Sequence, residues 1–172
     1  MNQFKHLLRL HGLQFVAACG LVLTALPAMA ADIDAPASDG AWRVLFSPWT
    51  YHYRSDPEYR SVWLVGLERE MPDRTLYGLA GFSNSFGQPS AYAYVGHVFN
   101  NVLDRWDSLY LTVSVGVIYG YVAPYQDKLS FNYNGFAPAI IPALGWRLDR
   151  DWNVQTNVLG SAGLMLMVTR RL

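Results

Sequence analysis

Apolar and polar residues alternate with a period of two along most of the chain after residue 40. In the clearest stretch, the thirteen residues 109–121, every odd position is apolar or aromatic, whereas the even positions include Thr112, Ser114 and Gly116. This period is typical of a β-strand whose two faces differ. A strand of that length exceeds most globular strands and suits a tilted strand that crosses a membrane.

The pattern predicts eight strands joined by connections of alternating length. Short turns at 71–74, 101–107 and 149–150 alternate with longer loops, of which 53–59 and 122–134 are the longest. Short turns at one end and long loops at the other are typical of outer-membrane barrels. We therefore predict an all-β fold, an eight-stranded antiparallel up-and-down transmembrane β-barrel. The alternative is an exported soluble barrel of the lipocalin kind, in which the same alternation has the opposite meaning. The predicted strands lie near residues 42–52, 60–70, 75–85, 90–100, 108–121, 135–148, 151–160 and 163–172.

The first residues have the features of a secretory signal peptide. Lys5 and Arg9 precede a short apolar run, and a small-x-small cleavage sequence ends at Ala30. We expect residues 1–30 to be removed and residues 31–172 to form one barrel domain in the outer membrane of a Gram-negative cell.

Composition excludes several classes of site. The single cysteine, Cys19, lies in the expected signal peptide, so the mature chain has no disulfide and no cysteine metal site. Its two histidines, His52 and His97, are far apart in sequence, and no glycine motif opens a helix after a strand. Neither a metal nor a cofactor is expected. The formal net charge of zero gives no sign of nucleic-acid binding, whereas six Trp and 11 Tyr suit a membrane interface.

One histidine and one serine are candidates for chemistry. His52 ends the first predicted strand, and Ser85 ends the third, within the sequence FSNSFGQPS. In an up-and-down barrel both lie at the rim that carries the longer loops, whereas His97 lies near the other rim. A histidine beside a serine is the minimum arrangement for general-base activation of a hydroxyl.

Three short motifs resemble the lipid A palmitoyltransferases of bacterial outer membranes (PagP). They are TYHYR at 50–54, FSNSFGQP at 82–89 and YNGFAPAIIPALGW at 133–146, in the same order and loop placement as in that family. The resemblance implies an eight-stranded barrel that holds one acyl chain of a phospholipid and transfers it to lipid A. It also implies a monomer whose partners are a phospholipid donor, a lipid A acceptor and outer-membrane lipids.

The family's functional residues fall on His52, Asn84 and Ser85. Asn84 stands where the family has Asp, and an amide cannot carry the charge of a carboxylate. Either Asp56 or Glu58 replaces that carboxylate, or the site works without one, or the protein is inactive. The family's short N-terminal amphipathic helix is also missing, because residues 31–41 are too few and contain proline and glycine.

The sequence leads to an acyltransferase hypothesis with two alternatives. Ser85 and His52 act either as nucleophile and base or by polarising the lipid A hydroxyl, and Asn84 shapes the site. The first alternative is a lipid A deacylase, although Gly81 occupies the position of the histidine in that enzyme's H-x-S-N motif. The second is a passive barrel, whose whole interior would be packed with polar side chains.

Two further features bear on the acyl chain. In the resembled family, strand prolines such as Pro138 and Pro142 mark gaps through which lipids enter sideways, although a bulge or a strand end explains them equally well. Tyr92 and Tyr94 lie where the family has the floor of its acyl pocket. If they point inward, they favour a chain shorter than palmitate.

Overall fold

The computed structural model describes residues 40–172 and confirms the predicted barrel. Eight antiparallel strands follow one another in sequence order, and β1 pairs with β8 to close the sheet. The expected signal peptide lies outside the described residues, and so does most of the segment 31–41, where we expect no amphipathic helix. No helix within residues 40–172 is long and apolar enough to cross a membrane. The strands are β1 Ala41–His52, β2 Leu64–Glu70, β3 Thr75–Ser83, β4 Pro89–Asn100, β5 Leu109–Tyr119, β6 Phe136–Arg147, β7 Trp152–Val158 and β8 Gly163–Arg171.

The two longest connections, 53–63 and 120–135, lie at one end of the barrel as predicted, but the strict alternation of short and long connections is wrong, because 101–108 is longer than 84–88 and 159–162. We call the end with residues 71–74, 101–108 and 148–151 the turn end, and the opposite end, with residues 53–63, 84–88, 120–135 and 159–162, the loop end. Strand β2 begins at Leu64 rather than near residue 60, because the backbone N–H of Arg60 bonds to the Ser85 carbonyl in the neighbouring loop. The third strand ends at Ser83, so Ser85 lies in a loop and not on a strand.

The apolar face of the sheet points outward. In β5, Val115 and Val117 are about half exposed, at 50% and 48%, whereas Thr112 and Ser114 are buried inside. Leu79 on β3 and Ile140 on β6 are exposed by 61% and 67%. A soluble barrel would bury these side chains and expose the hydroxyls. Apolar outside and polar inside is instead the arrangement of barrels in hydrocarbon.

The barrel interior divides into two halves of different chemistry. The loop-end half contains an apolar cluster of Leu45, Val62, Leu64, Ala80, Met165 and Met167. In the turn-end half, Glu70 forms ion pairs with Arg43 and Arg74, and Tyr94 donates a hydrogen bond of 2.7 Å to Glu68. Buried charges require such partners. The polar half therefore closes the barrel at the turn end and leaves the loop-end half for a ligand.

Candidate functional site

The structure brings His52 and Ser85 together at the loop end. His52 Nε2 lies 2.7 Å from Ser85 Oγ, although the two residues are 33 positions apart in sequence. His52 is the last residue of β1, and Ser85 is the second residue of the loop between β3 and β4. With the imidazole proton on Nδ1, Nε2 can accept the serine proton, which is the contact that a nucleophile and a general base require.

A tyrosine that sequence analysis did not single out completes this group. The Tyr121 hydroxyl lies beside Ser85, whose side chain and backbone both act on its pKa. Burial raises the pKa of Tyr121, and Ser85 offsets part of that rise. Its phenol therefore stays protonated at neutral pH and can donate a hydrogen bond beside the serine. Because Tyr121 lies on the predicted fifth strand, periodicity alone gave it no special role.

Aromatic rings surround the pair and fix its position. The His52 ring packs on Tyr59, with centroids 4.4 Å apart, and Tyr59 meets Phe86 edge to face at 5.6 Å. Phe86 also stacks on Tyr125 at 4.2 Å and meets Tyr121 edge to face. We call Tyr59, Phe86, Tyr121 and Tyr125 the rim cluster. It joins three loops around the serine.

No carboxylate among residues 40–172 hydrogen-bonds to His52. Asp56 instead accepts a hydrogen bond of 2.9 Å from the backbone N–H of Glu58, within its own loop. Of the three possibilities left open by the sequence, replacement of the missing carboxylate by Asp56 or Glu58 therefore has no supporting contact. The imidazole is oriented by the ring of Tyr59 and by Ser85.

Asn84 organises the serine loop and does not contact His52. It is 1% exposed, and its Oδ1 accepts hydrogen bonds from the backbone N–H groups of Phe86, at 2.9 Å, and Gln88, at 3.0 Å. Its Nδ2 donates to the Gln88 side chain at 3.2 Å and to the Gly120 carbonyl at 3.3 Å. The amide thus holds the turn that carries Ser85, in agreement with the shaping role expected of it.

A cavity of about 630 Å³ lies below the pair. Its wall includes Leu64, Phe82 and Met165, and His52 and Ser85 also line it. This volume is within the range of about 300–1,000 Å³ found for ligand pockets. An apolar cavity beside a serine and a histidine suits an acyl chain whose ester carbonyl lies at the rim.

Tyr92 and Tyr94 lie in the wall of the cavity, at the positions where the resemblance predicts the floor of an acyl pocket. Both point inward and line it, and their rings stack with centroids 4.8 Å apart. The Tyr92 hydroxyl bonds to Ser114 at 3.1 Å. The Tyr94 ring covers Gly78 so closely that a Cβ at Gly78 would collide with it. This part of the cavity wall is therefore bulky and fixed by hydrogen bonds.

Two strand edges at the loop end have no paired neighbour. The register between β6 and β7 covers only Ala143–Arg147 of β6, and the register between β1 and β2 ends at Ser47. The remainder of β6, residues 136–142, contains Pro138 and Pro142, and the remainder of β1 begins with Pro48. A missing N–H costs nothing where no partner strand accepts it. The prolines thus fit unpaired edges beside the cavity.

The other sequence expectations concern histidine and metals. His97 lies in β4 near the turn end and meets Phe99 edge to face at 4.9 Å, so it is remote from the pair. Residues 40–172 contain no group of three or more His, Cys, Asp or Glu side chains that could hold a metal ion. No protein-family model and no curated protein matches this sequence, so the resemblance to the palmitoyltransferases rests on the three motifs quoted above.

Proposed function

We propose that this protein is an outer-membrane acyltransferase that moves an acyl chain, palmitate or a shorter one, from a phospholipid to lipid A. The observation that carries the proposal is the hydrogen-bonded His52 and Ser85 at the mouth of an apolar cavity. The apolar outer wall supports a location in the outer membrane, with the loop end at the outer surface. The unpaired edges of β1 and β6 offer lipids a lateral path to the cavity.

The pair supports a covalent route. His52 Nε2 takes the proton of Ser85 as Oγ attacks the ester carbonyl, and a bond forms between Oγ and the acyl carbon. The ester bond to glycerol then breaks, and the lysophospholipid leaves with the proton from His52. A lipid A hydroxyl then attacks the acyl serine, and His52 takes the proton of that hydroxyl. The acyl chain passes to lipid A, and Ser85 Oγ leaves with the proton from His52. Tyr121 donates a hydrogen bond beside the reacting carbonyl, where negative charge develops.

A direct route uses the same residues. The pair would hold and polarise the lipid A hydroxyl, which attacks the phospholipid ester without an acyl serine. Single-turnover experiments separate the two routes, because only the covalent route releases lysophospholipid before lipid A is added. Both routes require that water is excluded, since water at the same position would make the protein a hydrolase.

Mass spectrometry of lipid A from cells with and without this gene tests the proposal. Wild-type protein should add the mass of one acyl chain, and Ser85→Ala and His52→Ala should abolish that addition. Ser83→Ala is the matched control, because Ser83 is two residues away and bonds only weakly to the Asn84 carbonyl, at 3.5 Å. Loss of an acyl chain from lipid A would show that the protein is a deacylase. Unchanged lipid A, or acylation that persists in Ser85→Ala, would refute the proposed mechanism.

A further inference from the structure

Two cationic residues from different loops contact the serine turn. The backbone N–H of Arg60 donates a hydrogen bond of 2.8 Å to the Ser85 carbonyl, and its Cγ lies 3.4 Å from the position of a Cβ added to Gly87. The Lys128 ammonium lies 5.4 Å from the centroid of the Phe86 ring, and Lys128 lines the cavity. The turn at 85–87 therefore contacts both an arginine and a lysine.

Neither cation forms an ion pair with any residue in the part of the chain that the structure describes. Asp56, in the same loop as Arg60, accepts a hydrogen bond from the backbone N–H of Glu58. Lys128 is held instead by the face of Phe86, which stacks on Tyr125 from the lysine's own loop. The loops thus bring two cationic residues to the serine turn, one of them at the cavity wall, and neither forms an ion pair with an acid in the described part of the chain.

We propose that Lys128 and Arg60 form a subsite for the phosphate of the phospholipid that donates the acyl chain. The inference rests on the proposed function, because it assumes that the donor ester lies at Ser85. The phosphate of a glycerophospholipid is joined to its acyl ester through the glycerol backbone alone. With the chain in the cavity, the phosphate therefore lies just outside it, beside the turn at 85–87.

The chemistry of the two side chains suits this ligand. Lysine offers a compact charge with rotatable donors, and the arginine fork can bind two phosphate oxygens at once. The face of Phe86 keeps the ammonium close to the turn before a lipid arrives, which lowers the entropy lost on binding. The subsite would place the ester against Ser85 and select donors with a phosphate.

Equilibrium binding to the inactive Ser85→Ala protein tests the subsite without turnover. The protein is held in maltoside micelles, and binding of dioleoylphosphatidylglycerol is compared with that of dioleoylglycerol, which has the same chains and no phosphate. Lys128→Gln and Arg60→Gln should each weaken binding of the phospholipid by about tenfold, as loss of a charged hydrogen bond does. Binding of dioleoylglycerol should not change. High salt should reduce the phosphate preference.

Two control variants sharpen the experiment. Arg54→Gln removes a cation from the same loop as Arg60, but one without a described contact to the turn at 85–87, and should preserve the preference. Lys128→Arg keeps the charge and should retain most of the wild-type preference for the phospholipid. If both glutamine variants keep the wild-type preference, or weaken the two lipids equally, the subsite is refuted.

Lipid A also carries phosphate, so a second pair of ligands identifies the source. Diphosphoryl lipid A is compared with its dephosphorylated form, and a loss confined to this pair would overturn the assignment to the donor. The outcome is separable from the proposed function. A lost phospholipid preference supports the subsite even if lipid A is never acylated in cells. Acylation with an unchanged preference would leave the proposed function intact and remove the subsite.

Discussion

Under the proposed function, the stacked tyrosines in the cavity wall predict which length of acyl chain is preferred. Tyr92 is 6% exposed, lines the cavity and stacks on Tyr94 at 4.8 Å. Tyr92→Ala removes the ring and enlarges the cavity, so that the chain can bury further methylenes. Each buried methylene contributes about 0.8 kcal/mol. A donor chain two carbons longer than the preferred one should gain about 1.6 kcal/mol, or a factor of about 15 in kcat/KM.

The assay is competition between phosphatidylcholines of defined saturated chains in mixed micelles, with lipid A as acceptor and mass spectrometry of the product. Tyr92→Phe is the control, because it keeps the ring and removes only the bond to Ser114, so its chain preference should equal that of the wild type. Thermal melts show whether the alanine variant is folded, since a truncated buried ring costs about 3–5 kcal/mol. A folded Tyr92→Ala protein with the wild-type chain preference would show that Tyr92 does not limit the length of the bound chain.

Three further substitutions test single contacts. Asn84→Ala removes four hydrogen bonds in the serine loop and should lower the free energy of unfolding by about 1–3 kcal/mol. The initial rate of acyl transfer should fall as well. Equal stability of the variant and the wild type in urea would contradict the role given to the amide. Tyr94→Phe leaves the buried Glu68 without its hydroxyl donor and should lower the free energy of unfolding in urea by about 1.5–3 kcal/mol. Equal stability of the variant and the wild type would show that this bond is unimportant. Phe131 has a φ of +59°, so Phe131→Gly should be more stable than Phe131→Ala by about 1 kcal/mol, and equal melting temperatures would show that the backbone is not strained there.

The fold was predictable because a barrel in hydrocarbon imposes one simple pattern over its whole length. The stretch 109–121 shows this directly, since outward residues must be apolar and the narrow interior requires small or polar ones. Strand count follows from turn residues, which act locally. The sequence could not show the start of β2 at Leu64. That boundary accompanies a hydrogen bond between Arg60 and Ser85, which lie in different loops that are close in space but distant in sequence.

The site was predictable only in part. Closure of the barrel brings His52 beside Ser85, and strand order alone placed both at one rim. Tyr59 was missed because its loop has no period in sequence. Tyr121 was missed because the alternation assigned it to the fifth strand, which in the structure ends at Tyr119. The unpaired edge of β6 was only one of several explanations for its prolines, since the ends of β7 had to be known to see that no partner strand is there.

The contacts of Asn84 explain why an amide can stand where the resembled family has an acid. Its oxygen accepts from two backbone N–H groups, and its nitrogen donates to the Gly120 carbonyl and to the Gln88 side chain. An aspartate would keep the two accepted bonds but would place a second oxygen against the Gly120 carbonyl, in a position that is 1% exposed. Repulsion between those oxygens would oppose the fold of the loop that carries Ser85. This loop is therefore built around an amide, and the chemistry proposed for it depends on His52, Ser85 and Tyr121 rather than on a carboxylate.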